Sequence, residues 1–290
     1  MRVAILLTGI DEVFPKIKNR LLDSFQCKGI EFDFFGHTWE EKVAELNPTN
    51  DKWSDISDKF VKKNIPFPYN DDRIKNYKSS SYQEIYDKYI SMDGISQIVI
   101  QNKMIFFMSY LSQSLSTYYA FKALEEYKTQ NEIEYDMVFK WRWDLIFDPN
   151  EKHKLNRLKN CTNNTIYSPL VDSNQMSDFW WGGDYDTLDV IINDLPHHMA
   201  FSISNALSVS TNSKPKNPYH FYHERMLLET ILTIAKEKKL ILNFTDRQGF
   251  PGTTVFRPEL NGDEDYWQIF DYNKTKWINQ GWESRNVKND

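Results

Sequence analysis

Residues 135–148 of this sequence read YDMVFKWRWDLIFD. The first half of this stretch is apolar or β-favouring on both faces, because Val138, Phe139 and Trp141 follow one another with little polar relief. A strand with two apolar faces is typical of the centre of a covered parallel sheet. The stretch therefore predicts a central strand of an α/β protein.

Two charged residues, Arg142 and Asp144, stand near the carboxyl end of this strand, the end at which open α/β sheets bind their ligands. The planar guanidinium of Arg142 suits a phosphate or a carboxylate. A carboxylate at Asp144 could hold a divalent cation against a diphosphate, because hard cations prefer oxygen ligands. The alternative is that the two side chains simply pair with each other at the end of the sheet.

Helices and strands alternate along most of the chain. Apolar runs predict strands at 2–7, 31–35, 165–167 and 240–244, and apolar spacing of three or four residues predicts helices at 13–25, from Ser96 onward, at 188–195 and at 222–239. This alternation predicts an α/β fold with a mostly parallel sheet flanked by helices. We expect one domain over residues 1–260 and an aromatic C-terminal extension over 261–290.

Three segments carry weaker signals. Residues 47–81 are polar and show little periodicity, so we expect a surface excursion there. Pro196 predicts the end of the helix at 188–195, because proline removes a backbone hydrogen bond. Residues 208–218 are rich in Ser, Asn, Lys and Pro and predict a loop, and the last residues, 284–290, are expected to fray.

Composition excludes several classes of protein. The 290 residues carry a formal net charge of −6, so no general basic field attracts nucleic acid or anionic membrane. The two cysteines give neither a disulfide framework nor metal-ligand spacing. The first apolar run is too short for a signal peptide, and no run reaches the length of a membrane span. We therefore expect a soluble, cytoplasmic protein.

An aromatic segment later in the chain could bind a sugar. Trp180 and Trp181 precede two glycines, and Asp178 and Asp184 flank them. Sugar sites combine flat rings for stacking with carboxylates that accept hydroxyl protons, and glycines allow close approach of the backbone. The alternative is a buried aromatic strand that ends in a glycine turn.

A third group of residues opens the helix at 222–239. His220, His223 and Glu224 lie close together in sequence, but their spacing differs from the zinc-binding HExxH pattern. A helix start that faces the substrate, with Glu224 near the positive end of the helix dipole, is the favoured interpretation.

Six short motifs follow one another in a specific order: VAILLTG at 3–9, HTW at 37–39, STYYAFK at 116–122, YDMVFKWRWDLIF at 135–147, DFWWG at 178–182 and HERML at 223–227. This order resembles nucleotide-sugar-dependent glycosyltransferases of the GT-A type, especially bacterial and phage members. The likeness extends from residue 1 to about residue 245. At the position of the family's usual Asp-x-Asp, this chain has Arg142-Trp143-Asp144 with a single carboxylate.

The resemblance implies a GT-A-like fold, a nucleotide-sugar donor and a divalent metal, Mg or Mn, at Asp144. The donor-binding residues are then predicted to be Thr8, Gly9, Lys122, Arg142 and Asp144. We assign the catalytic carboxylates to Asp178, Asp184 and Glu224, and acceptor binding to Trp180, Trp181 and His223.

The sequence thus predicts a hexosyl- or pentosyltransferase that moves a sugar to an acceptor hydroxyl, with a surface saccharide slightly favoured as acceptor. One alternative is a phage enzyme of the host cytoplasm that glycosylates hydroxymethylated bases in DNA. In that case the loop lysines Lys214 and Lys216 and the basic segment of Lys152, Lys154, Arg157 and Lys159 could flank a duplex. The other alternative is a catalytically silent module that binds a sugar or a nucleotide.

Overall fold

The structure is a computed structural model that describes residues 1–9, 11, 14–43, 60–62, 71–85, 88–89, 92–95, 97–147, 149–168, 170–172, 175–178, 180–212, 223–245, 253–255, 266–271 and 276–281. The helices are α1 (Phe14–Ser24), α2 (Tyr82–Ile85), α3 (Gln97–Asn131), α4 (Tyr185–Asn212) and α5 (His223–Glu237), with a 3₁₀ segment at Pro149–Asn160. The strands are β1 (Arg2–Thr8), β2 (Glu31–Trp39), β3 (Glu41–Val43), β4 (Phe60–Lys62), β5 (Ile74–Ser80), β6 (Met137–Arg142), β7 (Leu145–Phe147), β8 (Thr165–Tyr167), β9 (Leu170–Asp172), β10 (Gln175–Met176), β11 (Trp180–Asp184), β12 (Asn243–Thr245), β13 (Thr253–Val255), β14 (Tyr266–Asp271) and β15 (Lys276–Gly281).

Seven strands form the main sheet in the order β12-β8-β11-β6-β1-β2-β5. Neighbouring strands are parallel except around β11, which runs antiparallel to both β6 and β8. The predicted α/β class, with a mostly parallel sheet flanked by helices, is confirmed. The predicted central strand is β6, which lies between β1 and β11.

Each face of the sheet covers its own hydrophobic core, as layered α/β folds require. Phe14, Ile17 and Leu21 of α1 are buried with Phe139 and Trp141 on one face. On the other face, side chains of α3, α4 and α5 are buried with Val138 and its neighbours in β1. Because side chains alternate along a strand, residues 140 and 142 of β6 belong to this second face.

The prediction that Pro196 ends a helix is wrong. Helix α4 passes through Pro196 and continues to Asn212, so it also includes the first residues of the predicted loop at 208–218; the rest of that loop lies outside the described residues. The physical reason is burial beyond the proline, where Met199, Ala200 and Ile203 are at most 1 % exposed. Burying large apolar side chains at about 1.5–3 kcal/mol each offsets a proline defect of about 3 kcal/mol.

The prediction of a surface excursion over 47–81 is wrong for residues 74–80, which form the edge strand β5. This strand pairs in parallel with β2. Its polar side chains have partners on α3: Asn76 Nδ2 donates to Ala123 O at 3.1 Å and Lys78 Nζ lies 2.5 Å from Glu126 Oε1. An edge strand held by such contacts lacks the apolar alternation that sequence patterns detect.

A second sheet connects the end of the chain to the centre. Its order is β15-β14-β13-β7, so β14 and β15 of the predicted extension reach, through β13, the short strand that directly follows Asp144. The domain boundary at residue 260 stays a prediction, and residues 284–290 lie outside the described part of the chain.

Trp143 anchors the turn between β6 and β7. Its side chain is fully buried, its indole Nε1 donates to His37 O at 3.0 Å, and its ring meets Phe14 edge-on with centroids 4.5 Å apart. Gly36 on β2 leaves room for the indole, because a Cβ at that position would lie 2.6 Å from the Trp143 ring.

We therefore expect Gly36→Ala to lower the free energy of unfolding by about 1–3 kcal/mol, the usual cost of overpacking a core. Urea denaturation followed by circular dichroism measures it. Ser79→Ala, at an exposed position of the neighbouring strand, is the control and should stay within about 0.5 kcal/mol of the parent. An unchanged midpoint for Gly36→Ala would mean that Trp143 is not packed as described.

Candidate functional site

The candidate site lies where the carboxyl ends of β1 and β6 meet. Thr8, the last residue of β1, is the register partner of Arg142. Just beyond it, the backbone N–H of Trp143 donates to Thr8 O at 3.2 Å. This is the edge at which open α/β sheets bind ligands, so the predicted donor residues of the two strands share one place.

Gly9 presents open backbone at this edge. Its φ of +92° lies in the left-handed region, and a Cβ added there would find no atom of the described residues within 4 Å. Its N–H donates to Ser116 Oγ of α3 at 3.2 Å. Thr8 differs, because its side chain is buried and its hydroxyl donates to Trp141 O at 3.4 Å. A ligand can therefore approach the backbone of Gly9, whereas the Thr8 hydroxyl serves the sheet.

A group of five charged residues, Lys140, Arg142, Asp144, Asp178 and Glu224, is called the charged cluster below. At its centre, Arg142 Nε donates to Asp144 Oδ1 at 2.8 Å and Nη2 donates to Asp144 Oδ2 at 2.6 Å. Arg142 Nη1 also lies 3.8 Å from Asp178 Oδ2. Arg142 at the end of β6 and Asp144 in the following turn thus pair with each other, the alternative left open by the sequence, and Asp178 adds a second carboxylate.

Lys140 brings a second cation to the cluster. Its side chain is buried, and its Nζ donates to the backbone carbonyl of Asp178. Burial lowers the pKa of Lys140 to about 8, although the negative charge of Asp178 opposes that shift. The sequence motifs did not indicate a role for Lys140. The available signal was a lysine inside an apolar central strand, because lysines are almost never fully buried without a partner.

Glu224 lies in the first turn of α5 and interacts electrostatically with Asp178, Arg142 and Lys140. Burial raises the pKa of Glu224, and the negative charge of Asp178 raises it further, whereas Arg142 and Lys140 act in the opposite direction. The same carboxylate acts on Tyr110 of α3. Burial is the larger cause that raises the pKa of this phenol, and the negative charge of Glu224 raises it further. Electrostatic interactions therefore connect residues of α3 and α5 with the charges of the central strand.

The structure does not bring Asp184 to this place. Asp184 is the register partner of Met137, at the opposite end of β6 from Arg142. Its Oδ1 accepts from Thr187 N at 3.0 Å and its Oδ2 accepts from Asn164 N at 2.8 Å. The first of these bonds caps the amino end of α4, a role that suits an aspartate before a helix.

The two tryptophans of β11 offer no open ring face. Trp180 is 2 % exposed and stacks on Trp141 with centroids 6.1 Å apart, and Trp181 is 1 % exposed in the opposite core. A Cβ at Gly182 would lie 2.4 Å from Val138 O, so that glycine serves the packing of two strands. The buried aromatic strand, the alternative kept open for this segment, describes what the structure contains.

Two further predicted residues are not placed in the cluster. Lys122 pairs with Glu125 and lies over the ring of Tyr118, with Nζ 5.3 Å from the centroid. His223 is the first residue of α5, but its side chain lies outside the described part of the chain. The roles assigned to Lys122 and His223 stay predictions.

Asp144 does not fit a divalent metal. Both of its carboxylate oxygens already accept hydrogen bonds from Arg142, so a cation would have to displace a largely buried guanidinium or stand beside it. Across the described ranges, no three His, Cys, Asp or Glu side chains are grouped so that they could hold a metal ion. A Mg or Mn ion at Asp144, which the resemblance implies, is therefore not supported by these residues.

The basic segment within Pro149–Asn160 lies away from the cluster. Lys152 Nζ donates to Asp23 O at 2.8 Å and Lys159 Nζ donates to Lys28 O at 2.6 Å. Asp23 lies in the last turn of α1 and Lys28 lies between α1 and β2, which places both at the amino edge of the sheet. Arg142 and Asp144 lie at the carboxyl edge.

Comparison with known proteins adds little. No protein-family model matches the chain, and no curated protein matches it. Among solved structures, it is similar to the apo form of mouse xyloside xylosyltransferase 1, with a TM-score of 0.31, 7 % identity and 85 % of each chain covered. A likeness of this strength carries no argument about the site. Within the described residues, no helix is long and apolar enough to cross a membrane.

Lys140 gives a testable dependence of stability on pH. Its pKa is about 8 in the folded protein and about 10.5 in the unfolded chain, so between these values the unfolded chain binds more protons. The unfolding free energy of the parent should therefore rise relative to that of Lys140→Met as pH increases through this window, by up to roughly 1.4 kcal/mol per pH unit.

Urea denaturation of both proteins at several pH values from neutral to alkaline measures this difference. Groups that titrate equally in both proteins cancel in it. A difference that stays constant with pH would show that folding does not lower the pKa of Lys140.

Proposed function

We propose that the charged cluster binds the diphosphate of a nucleotide sugar and that the protein transfers the sugar to an acceptor hydroxyl. The observation that carries this proposal is the position of Arg142, held between Asp144 and Asp178 at the carboxyl edge and beside the open backbone of Gly9. The ordered motifs of the sequence, which resemble GT-A glycosyltransferases, name the reaction class.

The reaction exchanges one bond to the anomeric carbon for another. The bond from that carbon to the diphosphate oxygen breaks, and the nucleoside diphosphate leaves with the electron pair. The acceptor oxygen bonds to the same carbon and gives up its proton. Positive charge fixed beside the diphosphate stabilises the leaving group, and we assign this role to Arg142.

For an inverting transfer, Glu224 is the favoured general base. A base works best when its pKa lies near the working pH, and burial raises the pKa of Glu224 from its ordinary range. Asp144 is engaged by Arg142 through both oxygens, and Asp184 caps a helix, so neither is as well placed to accept a proton. Asp178 orients Arg142 from the second side.

A saccharide is the favoured acceptor. A DNA acceptor needs cations along its phosphates, yet Lys152 and Lys159 lie at the amino edge of the sheet and the net charge is −6. Lys214 and Lys216 lie outside the described residues. Nothing in the described residues specifically favours DNA or a silent binding module.

Asp144→Asn should reduce turnover about a hundredfold, because Arg142 then loses the charged partner that orients it. The measurement is product formation by mass spectrometry with a panel of nucleotide sugars and saccharide acceptors. Asp186→Asn, an exposed aspartate in the first turn of α4, is the matched control and should keep parental turnover. Parental turnover in a folded Asp144→Asn protein would exclude this role.

Glu224→Gln should lose kcat while its affinity for the nucleotide sugar stays close to parental, because a general base acts in the transition state. In the parent, kcat should fall on the acidic side as Glu224 takes up its proton, at a pH above that of an ordinary glutamate because its pKa is raised. Glu229→Gln, an exposed glutamate of the same helix that pairs with Arg225, is the control. Equal loss of donor affinity and rate would assign Glu224 to donor binding, and donor binding without any product would favour the silent module.

A further inference from the structure

We propose that this site neutralises the leaving diphosphate with two fixed cations, Arg142 and Lys140, in place of a divalent metal ion. The inference rests on the proposed function, because it concerns the diphosphate of the same donor. It assigns a role to Lys140, and it replaces the metal that the resemblance to GT-A enzymes implies.

The first argument is that a metal and Arg142 would compete for Asp144. A magnesium ion needs carboxylate oxygens at about 2.0–2.1 Å and several further oxygen ligands. Both oxygens of Asp144 lie 2.6–2.8 Å from Arg142 nitrogens. An added dication would therefore stand within a few ångströms of a guanidinium that is only 16 % exposed, where the repulsion of like charges is weakly screened.

The second argument is that the cluster already contains two positive charges. Lys140 and Arg142 are two residues apart on β6, so both side chains belong to the same face of the sheet. Both interact electrostatically with Asp144, Asp178 and Glu224, and burial together with the negative charge of Asp178 raises the pKa of Glu224. Arg142 pairs with Asp144 and Asp178, and Lys140 holds the backbone carbonyl of Asp178. The approach of a diphosphate then places its negative charge beside cations fixed by the fold.

Lys140 acts as a positioning residue rather than as a direct ligand. Its side chain is buried, and its Nζ holds the backbone carbonyl of Asp178, whose carboxylate lies 3.8 Å from Arg142. Lys140 therefore fixes the segment that orients Arg142. The positive charge of Lys140 also adds to the electrostatic potential at the cluster. A charge in a partly buried site acts over several ångströms at an effective dielectric of about 20.

The test is calorimetric titration of the full chain with UDP, GDP, CDP, ADP and dTDP, once with EDTA and once with Mn²⁺. We expect one of these nucleotides to bind with the same affinity, within about twofold, under both conditions. Binding that requires Mn²⁺ would overturn the metal-free site and leave the proposed function intact. Binding of none of the five under either condition would overturn the proposed function as well.

A variant tests the contribution of Lys140. In EDTA, Lys140→Met should weaken binding of the best nucleoside diphosphate at least about tenfold and should weaken its monophosphate clearly less, because the effect follows ligand charge. A purely structural role would weaken both ligands alike, and that result would overturn the assignment. Lys238→Met, which removes an exposed lysine paired with Asp194, is the control and should change neither affinity.

Discussion

The arrangement of the site depends on the cost of burying a guanidinium. Arg142 lies at the end of the central strand with 16 % of its side chain exposed, and a charge in that position must be paired. Its two carboxylates come from different parts of the chain. Asp144 follows β6 in the same turn, whereas Asp178 precedes β11, whose antiparallel pairing sets Trp180 opposite Trp141. The antiparallel strand β11 therefore brings Asp178, the second carboxylate, close to Arg142 at the end of β6.

Aromatic packing holds this polar arrangement in place. Trp141 donates from Nε1 to Leu145 O at 2.7 Å across the turn, and Trp143 donates from Nε1 to His37 O of β2. The two indoles thus connect the turn that carries Asp144 to its own strands and to a neighbouring one. Gly36 is needed because the indole of Trp143 occupies the space of its missing side chain. Trp143, the large residue between Arg142 and Asp144, fills the core beneath the site.

The sequence predicts best what depends on long apolar patterns. The central strand, the α/β alternation and the common edge of Thr8 and Arg142 all follow from such patterns. Edge strand β5 and the passage of α4 through Pro196 do not, because partners on other elements decide them. Asp178 and Asp184 look alike in sequence, yet β11 places them near opposite ends of the strand. Lys140 was missed because one polar residue hardly changes an apolar strand pattern, although its burial makes it informative.

The burial of Lys140 indicates why the cluster uses side chains of a central strand. A lysine whose pKa is about 8 destabilises the folded state at neutral pH, since its charged form is disfavoured there. Such a group is not explained by stability, and groups of this kind concentrate at functional sites. In the proposed function, cations fixed by a sheet and by two carboxylates need little reorganisation when a diphosphate binds, in contrast to a metal ion that must first be captured. Under this arrangement, donor binding and neutralisation of its charge become one event, set by the geometry of β6.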